Sequence, residues 1–256
     1  EELRRRLVCA GYSLETTSFC EVGGYARDLG AMELALRQPF TFAVVLSEST
    51  EVLKRLDRSG ILFVVISERH FRLNSHPGWV RFHVAAAVPK FVRQCSSAGI
   101  RRVCEFGYVR RMSASAASQL RNVGIRVEQI LVDVNYGRGI LEGIVRGSME
   151  AAFERFGRKG VALPDLIYLP DDYLARGVLT ALQELGIRAP QDVRIVSFAN
   201  AGLGPVYPRE LTRMQMNPIL DGKILAEEIL RAIAGDTVDW KCIAPQYVIG
   251  ETFAQP

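Results

Sequence analysis

Two adjacent carboxylates are the clearest candidates for chemistry in this sequence. Asp171 and Asp172 follow a short apolar run, and paired carboxylates at a strand end can act as general acid and base. Asp172 also stands immediately before Tyr173-Leu-Ala-Arg, where a helix would take its N-cap. An aspartate at that position accepts hydrogen bonds from backbone amides of the first helical turn. We therefore expect Asp172 to be a structural helix cap, and we predict no catalytic residue here.

The histidines and cysteines lack the spacing of a metal site. His70, His76 and His83 are six and seven residues apart, which does not place two ligands on one helix face. The cysteines are five, an odd number, and include no Cys-x-x-Cys pair: they are Cys9, Cys20, Cys95, Cys104 and Cys242. We predict no metal site and no disulfide framework, with most of the thiols buried as small apolar groups in a reducing cytoplasm.

Cofactor and nucleophile motifs are missing as well. The sequence has no Gly-x-Gly-x-x-Gly leading from a strand into a helix, and no Gly-Lys-Ser/Thr phosphate-binding loop. It also lacks the Gly-x-Ser-x-Gly turn that presents a serine nucleophile. We therefore expect a protein that is not an enzyme and that uses no cofactor.

The composition indicates a globular protein with no focused charge. A chain of 256 residues with 48% hydrophobic residues can bury a core without disulfides or a metal. No apolar stretch approaches the ~20 residues needed to span a bilayer. The 32 basic and 28 acidic residues give a net charge of +4, and the densest basic cluster, Arg4 to Arg6, is typical of a solvent-facing helix surface. We predict that this chain by itself binds neither membranes nor specific DNA.

Strand-like and helix-like segments alternate along nearly the whole chain. Apolar or alternating runs predict strands, and apolar residues at helical spacing fill most of the intervals between them. The predicted strands are residues 12–19, 42–46, 62–66, 102–106, 127–132, 166–169, 193–198 and 247–249. This alternation is typical of parallel sheets covered by helices on both faces. We predict an α/β fold of two doubly wound lobes, with a ligand cleft between them at the carboxyl ends of the strands.

The segment from Leu163 to Asn217 carries an ordered set of motifs. Leu166-Ile-Tyr-Leu169 is followed by Asp171-Asp172 and a helix, then by Gly186, Pro190-Gln-Asp192, a strand ending at Phe198, and Leu211-Thr212. Ala98-Gly-Ile-Arg-Arg-Val103 adds a turn of similar type. In combination these motifs resemble the effector-binding domain of the LacI/GalR family of bacterial transcription regulators. The resemblance implies a periplasmic-binding-protein-like fold of type I.

The resemblance also implies a function and a division into lobes. It implies a cytoplasmic regulator that binds a small-molecule effector, forms a homodimer, and contacts DNA only through a segment outside this chain. It places residues 1–98 and 217–241 in the first lobe, and residues 99–216 and 242–256 in the second. The first strand of such domains has no evident counterpart ahead of the helix that we predict at residues 1–10. As an alternative, Leu7–Ala10 is itself that strand.

The positions that bind ligand in the LacI/GalR family differ here. His83 and Ala199 stand where the family has aspartates, Asp171 replaces an asparagine, and the family's sugar-binding arginine aligns near Ser115. We predict ligand-binding roles for His83, Arg110, Arg111, Ser115, Tyr136, Asp171, Asn200 and Asn217. Since acceptors are lost and donors gained, a ligand with negative charge or many acceptors is expected, such as a carboxylate or an acidic sugar.

Two other functions share this fold. A solute-binding protein of a transport system is the main alternative, although the scattered cysteines and the Pro190-to-Phe198 pattern favour a regulator. An enzyme of the doubly wound class would need a nucleophile and a base, and the sequence offers no such set.

Overall fold

A computed structural model describes most of the chain. The described residues are 1–16, 21–22, 25–26, 30–38, 40–46, 49–66, 78–108, 115–132, 140–158, 160–236 and 241–253. The helices are α1 (Glu2–Cys9), α2 (Gly30–Leu36), α3 (Thr50–Ser59), α4 (Val88–Ser97), α5 (Ala117–Asn122), α6 (Ile140–Phe156), α7 (Asp172–Glu184) and α8 (Pro218–Ile233). A short 3-10 helix, Val84–Ala87, precedes α4.

The strands are short, and most of them are parallel. They are β1 (Glu21–Val22), β2 (Tyr25–Ala26), β3 (Ala43–Leu46), β4 (Phe63–Ile66), β5 (Gly78–Phe82), β6 (Arg102–Tyr108), β7 (Arg126–Val132), β8 (Leu166–Leu169), β9 (Arg194–Asn200), β10 (Thr212–Met216), β11 (Lys241–Ile243) and β12 (Gln246–Val248). Apart from the small antiparallel pair β1–β2, they form two separate sheets of four and six strands.

The first unit comprises Glu1–His83 and Asn217–Ile243. Its parallel sheet has the order β11-β5-β4-β3. The apolar faces of α2 and α3 cover one side, where Val52, Leu53 and Phe63 are buried together. Helix α3 begins at its cap Ser49 and ends at Gly60, whose φ of 72° suits a residue without a side chain. Helix α1 packs on α8.

The second unit comprises Val84–Met216 and Ala244–Pro256. Its sheet has the order β12-β10-β9-β8-β6-β7, and only β12 runs antiparallel to its neighbour. Helices α6 and α7 cover one face, and α4 and α5 cover the other. The predicted fold class, two α/β units each built on a parallel sheet, is confirmed.

The lobe boundary expected after residue 98 differs from the observed one. The chain leaves the first unit after His83, so α4 belongs to the second unit. The reason is the apolar face of α4, because Phe91 and Cys95 are buried against Val103 and Tyr168 of the second sheet. The chain returns to the first unit after Met216 and enters the second unit again after Ile243.

Several local predictions were wrong. Residues 12–16 form no strand, and residues 17–19 lie outside the described part of the chain. Leu7–Ala10 is not a strand either, since α1 extends to Cys9. Strands β1, β2, β5, β10 and β11 were not predicted. Strand β5 begins at Gly78, the second residue of a Pro-Gly pair, and pairs with β4 on one side and β11 on the other. Cys95 and Cys104 are buried as expected, whereas Cys9 and Cys242 are exposed.

Candidate functional site

The carboxyl ends of β8, β9 and β10 lie side by side at one edge of the second sheet. Leu169 pairs with Ser197, and Asn200 pairs with Met216, so the three parallel strands end close together. The backbone amide of Ala201 donates to the carbonyl of Met216 at 2.8 Å and holds the last two ends in register. Three predicted site residues, Asp171, Asn200 and Asn217, therefore stand at the end of these strands or directly after it.

Asp171, not Asp172, is the N-cap of α7. Asp171 has an extended backbone (φ −151°, ψ 141°), and its Oδ1 accepts hydrogen bonds from the amides of Tyr173 at 2.8 Å and Leu174 at 3.1 Å. The prediction that Asp172 caps the helix was wrong by one residue. Asp172 is already the first helical residue, so its side chain projects in a different direction from the cap.

The Asp172 carboxyl is buried beside Asn200. Asp172 is 8% exposed, and the Asn200 side chain is near enough to stabilise the ionised carboxyl. Burial raises the pKa of Asp172, and the neighbouring negative charge of Asp171 adds to the rise. The backbone amide of Asp172, the charge of Arg176 and the Asn200 side chain favour the ionised form and oppose that rise. A carboxyl and an amide held together offer acceptors and donors that can bind hydroxyl groups.

Ala199, the residue after Phe198, has no polar side chain with which to bind a ligand. It is 2% exposed and packs against Gly204, where an added Cβ would lie 3.1 Å from the Ala199 methyl group. The polar group at this strand end is therefore supplied by Asn200, one residue later, which is half-buried.

Asn217 and the remaining predicted site residues each have their own local contacts. Half-buried Ser115 follows residues 109–114, and its hydroxyl accepts a hydrogen bond from the Ala117 amide at 3.3 Å. Exposed Asn217 caps α8, since its Oδ1 accepts from the Leu220 amide at 3.1 Å. His83 is the last residue of the first chain segment of the first unit, and its amide donates to the Ile243 carbonyl at 2.8 Å. Arg110, Arg111 and Tyr136 lie outside the described residues.

Sequence reasoning missed a buried charged residue in the second unit, Glu105. It lies in the middle of β6 and is fully buried, and neither of its carboxyl oxygens has a hydrogen-bond partner among the described residues. The available signal was a single charged residue inside the apolar run Val103-Cys-Glu-Phe106. The run was assigned to a strand from its apolar residues, and the buried charge of Glu105 within it was not considered.

Two structural tests concern metals and membranes. The described residues contain no group of three or more His, Cys, Asp or Glu side chains placed to hold a metal ion. Among the helices described, none is long and apolar enough to cross a membrane.

Comparison with known proteins gives one family match and one partial relative. The periplasmic binding protein-like domain family matches residues 92–253, more than half of the chain. The HTH-type transcriptional regulator GalR of Streptococcus thermophilus is 35% identical over 92 residues. That match spans 36% of this chain and only 25% of the length of that regulator.

Solved structures agree with this chain in fold. A LacI family transcriptional regulator from Arthrobacter sp. FB24, in complex with lactose, has a TM-score of 0.76 and 16% identity, covering 99% of this chain and 92% of that one. A sugar-binding LacI family regulator from Enterococcus faecalis has a TM-score of 0.75 and 18% identity, covering 99% and 91%. At such identities the likeness shows the fold alone. The resemblance to LacI/GalR effector-binding domains is confirmed, and the chain belongs to the family of periplasmic binding protein-like domains.

Proposed function

We propose that this chain is the effector-sensing domain of a LacI/GalR-type transcription regulator. The observation that carries the proposal is the Asp172–Asn200 pair at the carboxyl ends of adjacent strands, where ligands of open parallel sheets bind. The GalR relative supports the regulator over a solute-binding protein of a transport system. The role is binding and not turnover.

The effector is a small hydroxylated molecule, either a sugar or an acidic sugar. The Asp172 carboxyl and the Asn200 amide match hydroxyl groups, which both donate and accept hydrogen bonds. Support for the sugar class comes from the structural relatives, one described with lactose and one as sugar-binding. The anionic alternative rests on His83, Arg110 and Arg111, which add positive charge or donors to the ligand positions.

A thermal-shift screen tests the effector class. Lactose, galactose, galacturonate and glucuronate are added separately to this chain, and a ligand that binds only the native state raises the melting temperature. Binding of any of these supports the proposal, and a preference for the uronates supports the anionic class. No shift with any of the four contradicts the sugar class, and conversion of a bound ligand into product contradicts a sensor.

Calorimetry on variants tests the site. With the ligand that the screen identifies, Asp172→Asn and Asn200→Ala should each weaken binding about ten- to a hundredfold, because each removes a hydrogen bond worth roughly 1.5–3 kcal/mol when charge is involved. Glu184→Gln is the matched control, since it removes an exposed carboxylate at the far end of the same helix. Unchanged affinity in both variants would show that the ligand does not bind at Asp172 and Asn200.

Regulation requires DNA contact through a segment outside this chain and a homodimer that carries two such segments. The net charge of +4 is spread along the sequence, so this chain alone has at most weak, salt-sensitive attachment to phosphates. A gel shift by the isolated chain that persists at physiological salt with competitor DNA would contradict the proposal that DNA contact requires a segment outside this chain.

A further inference from the structure

A short turn follows β9 and carries Asn200 at its start. The Leu203 amide donates to the Asn200 carbonyl at 3.0 Å, which closes a β-turn over residues 200–203. Gly202, the third residue of this turn, has a φ of 77°, a conformation that glycine adopts without strain. The Ala201 amide donates to the Met216 carbonyl at 2.8 Å and attaches the turn to β10. The position of the Asn200 side chain therefore depends on how this turn is held.

One side chain of α7 reaches this turn. Arg176 lies one helical turn after Asp172 and Tyr173, so its side chain is a neighbour of both on the helix surface. Its Nη2 donates to the Leu203 carbonyl at 3.2 Å. Its guanidinium carbon lies 5.2 Å from the centroid of the Tyr173 ring, within the range of a cation–π contact. Because both contacts use the same planar group, Arg176 joins α7 to the turn after β9.

These contacts depend on properties of the guanidinium group. Since it is planar, its face can lie against an aromatic ring while N–H groups at its edge donate hydrogen bonds. Its charge strengthens the bond to the Leu203 carbonyl, because charge-assisted hydrogen bonds are stronger than neutral ones. The same charge stabilises the ionised carboxyl of Asp172 and opposes the rise of its pKa. Arg176 therefore acts on both sides of the Asp172–Asn200 pair.

We propose that Arg176 is a positioning residue of the effector site, which holds the turn after β9 against α7 and thereby fixes the Asn200 side chain beside Asp172. Arg176 itself is exposed and acts without touching the effector. Its effect on affinity rests on the proposed function, whereas its effect on the turn needs no ligand. The two effects are therefore measured separately.

Hydrogen exchange and nuclear magnetic resonance of the ligand-free chain test the hold on the turn. In Arg176→Met, which removes the donor and the charge but keeps a long apolar stem, the Leu203 amide should exchange about three- to tenfold faster. The side-chain amide resonances of Asn200 should shift as well. Arg121→Met is the matched control, because exposed Arg121 also donates its Nη2 to a backbone carbonyl, that of Val127, at 3.2 Å. This control should leave the Leu203 and Asn200 signals unchanged.

Calorimetry tests whether the position of Asn200 determines affinity. The ligands are lactose, galactose, galacturonate and glucuronate, each used with the natural chain first. For a ligand that binds, Arg176→Met should weaken binding about tenfold. Arg176→Lys keeps a charge and a donor and should recover part of this loss. Without ligand, Arg176→Met and Arg121→Met should lower the melting temperature by the same small amount, since each removes an exposed hydrogen bond of the same kind.

A double variant separates positioning from direct contact. If Arg176 acts through Asn200, Arg176→Met should weaken binding much less in the Asn200→Ala background than in the natural chain, because the effects of coupled residues are not additive. Two losses that multiply independently would make Arg176 a direct ligand contact and overturn the proposal.

Two further results would also overturn it. One is an unchanged exchange rate of the Leu203 amide in Arg176→Met. The other is faster exchange together with unchanged affinity for a sugar that binds the natural chain. If none of the four sugars binds, the sugar class of effector fails, and exchange at Leu203 with the Asn200 resonances decides whether Arg176 holds the turn.

Discussion

At the scale of single residues, Asp171 and Asp172 show how one step along the chain separates two roles. Asp171 is still extended, so its carboxylate reaches forward to the amides of Tyr173 and Leu174. Asp172 is helical and buried beside Asn200. The sequence contains the pair, but the helix boundary assigns the cap to one residue and the candidate ligand contact to the other.

Replacing the cap should cost stability in a specific way. Asp171→Ala removes the acceptor for two amides of the first turn, so the free energy of unfolding should fall by about 1 kcal/mol. Asp171→Ser retains an acceptor and should recover most of this loss. Urea unfolding followed by circular dichroism measures both. If Asp172→Ser lowered the free energy of unfolding and Asp171→Ala did not, Asp172 would be the N-cap instead.

At the scale of elements, the crossing of α6 and α7 depends on one glycine. Gly177 of α7 lies so close to α6 that an added Cβ would overlap the Ser148 hydroxyl and the Val145 carbonyl. Backbone atoms cannot turn aside as a flexible side chain can. The two helices cover the same sheet face, so any displacement here would disturb the core beneath them.

A pair of matched substitutions tests this crossing. Gly177→Ala should lower the free energy of unfolding by roughly 1–3 kcal/mol, because the helices must separate to accept the methyl group. Gly143→Ala, in open space on α6, should instead raise it by roughly 0.5–1 kcal/mol through better helix propensity. Both are read from chemical denaturation. Equal effects of the two would mean that helix propensity, and not the close approach, determines the outcome.

The Leu211-Thr212 motif has a structural explanation at the same scale. The Thr212 hydroxyl donates to the Gly250 carbonyl at 3.0 Å and accepts from the Gly250 amide at 2.9 Å. The Thr252 hydroxyl accepts from the Thr212 amide at 2.9 Å and donates to the Ile195 carbonyl at 2.8 Å. These bonds tie the last described segment to the starts of β9 and β10, so the motif stabilises the fold.

At the scale of the whole molecule, we predict two-fold association. A homodimer presents the same surface from each chain, and large apolar side chains exposed in the single chain would gain burial there. Leu34, Leu46 and Ile219 of the first unit are 62%, 71% and 71% exposed. We expect sedimentation equilibrium to give a dimer at concentrations well above micromolar. Only monomer at such concentrations would contradict the prediction.

Much of the order of elements was predictable from the sequence because it depends on local patterns. Continuous apolar runs such as Leu166–Leu169 fit buried strands, and the apolar spacing within Asp172–Glu184 fits a helix on their surface. The ordered motifs between Leu163 and Asn217 then identified the family. Each of these features depends on residues that are close together in the chain, so the sequence alone is enough to show it.

The tertiary structure decided what depends on residues far apart in the chain. The run Lys241–Ile243 is a strand because it pairs with β5, and α4 joins the second unit because the buried partners of Phe91 lie there. Glu105 became a buried carboxyl only when α4 and α5 covered its face of the sheet. Burial and strand pairing are set by which distant surfaces meet, and local spacing does not encode that choice.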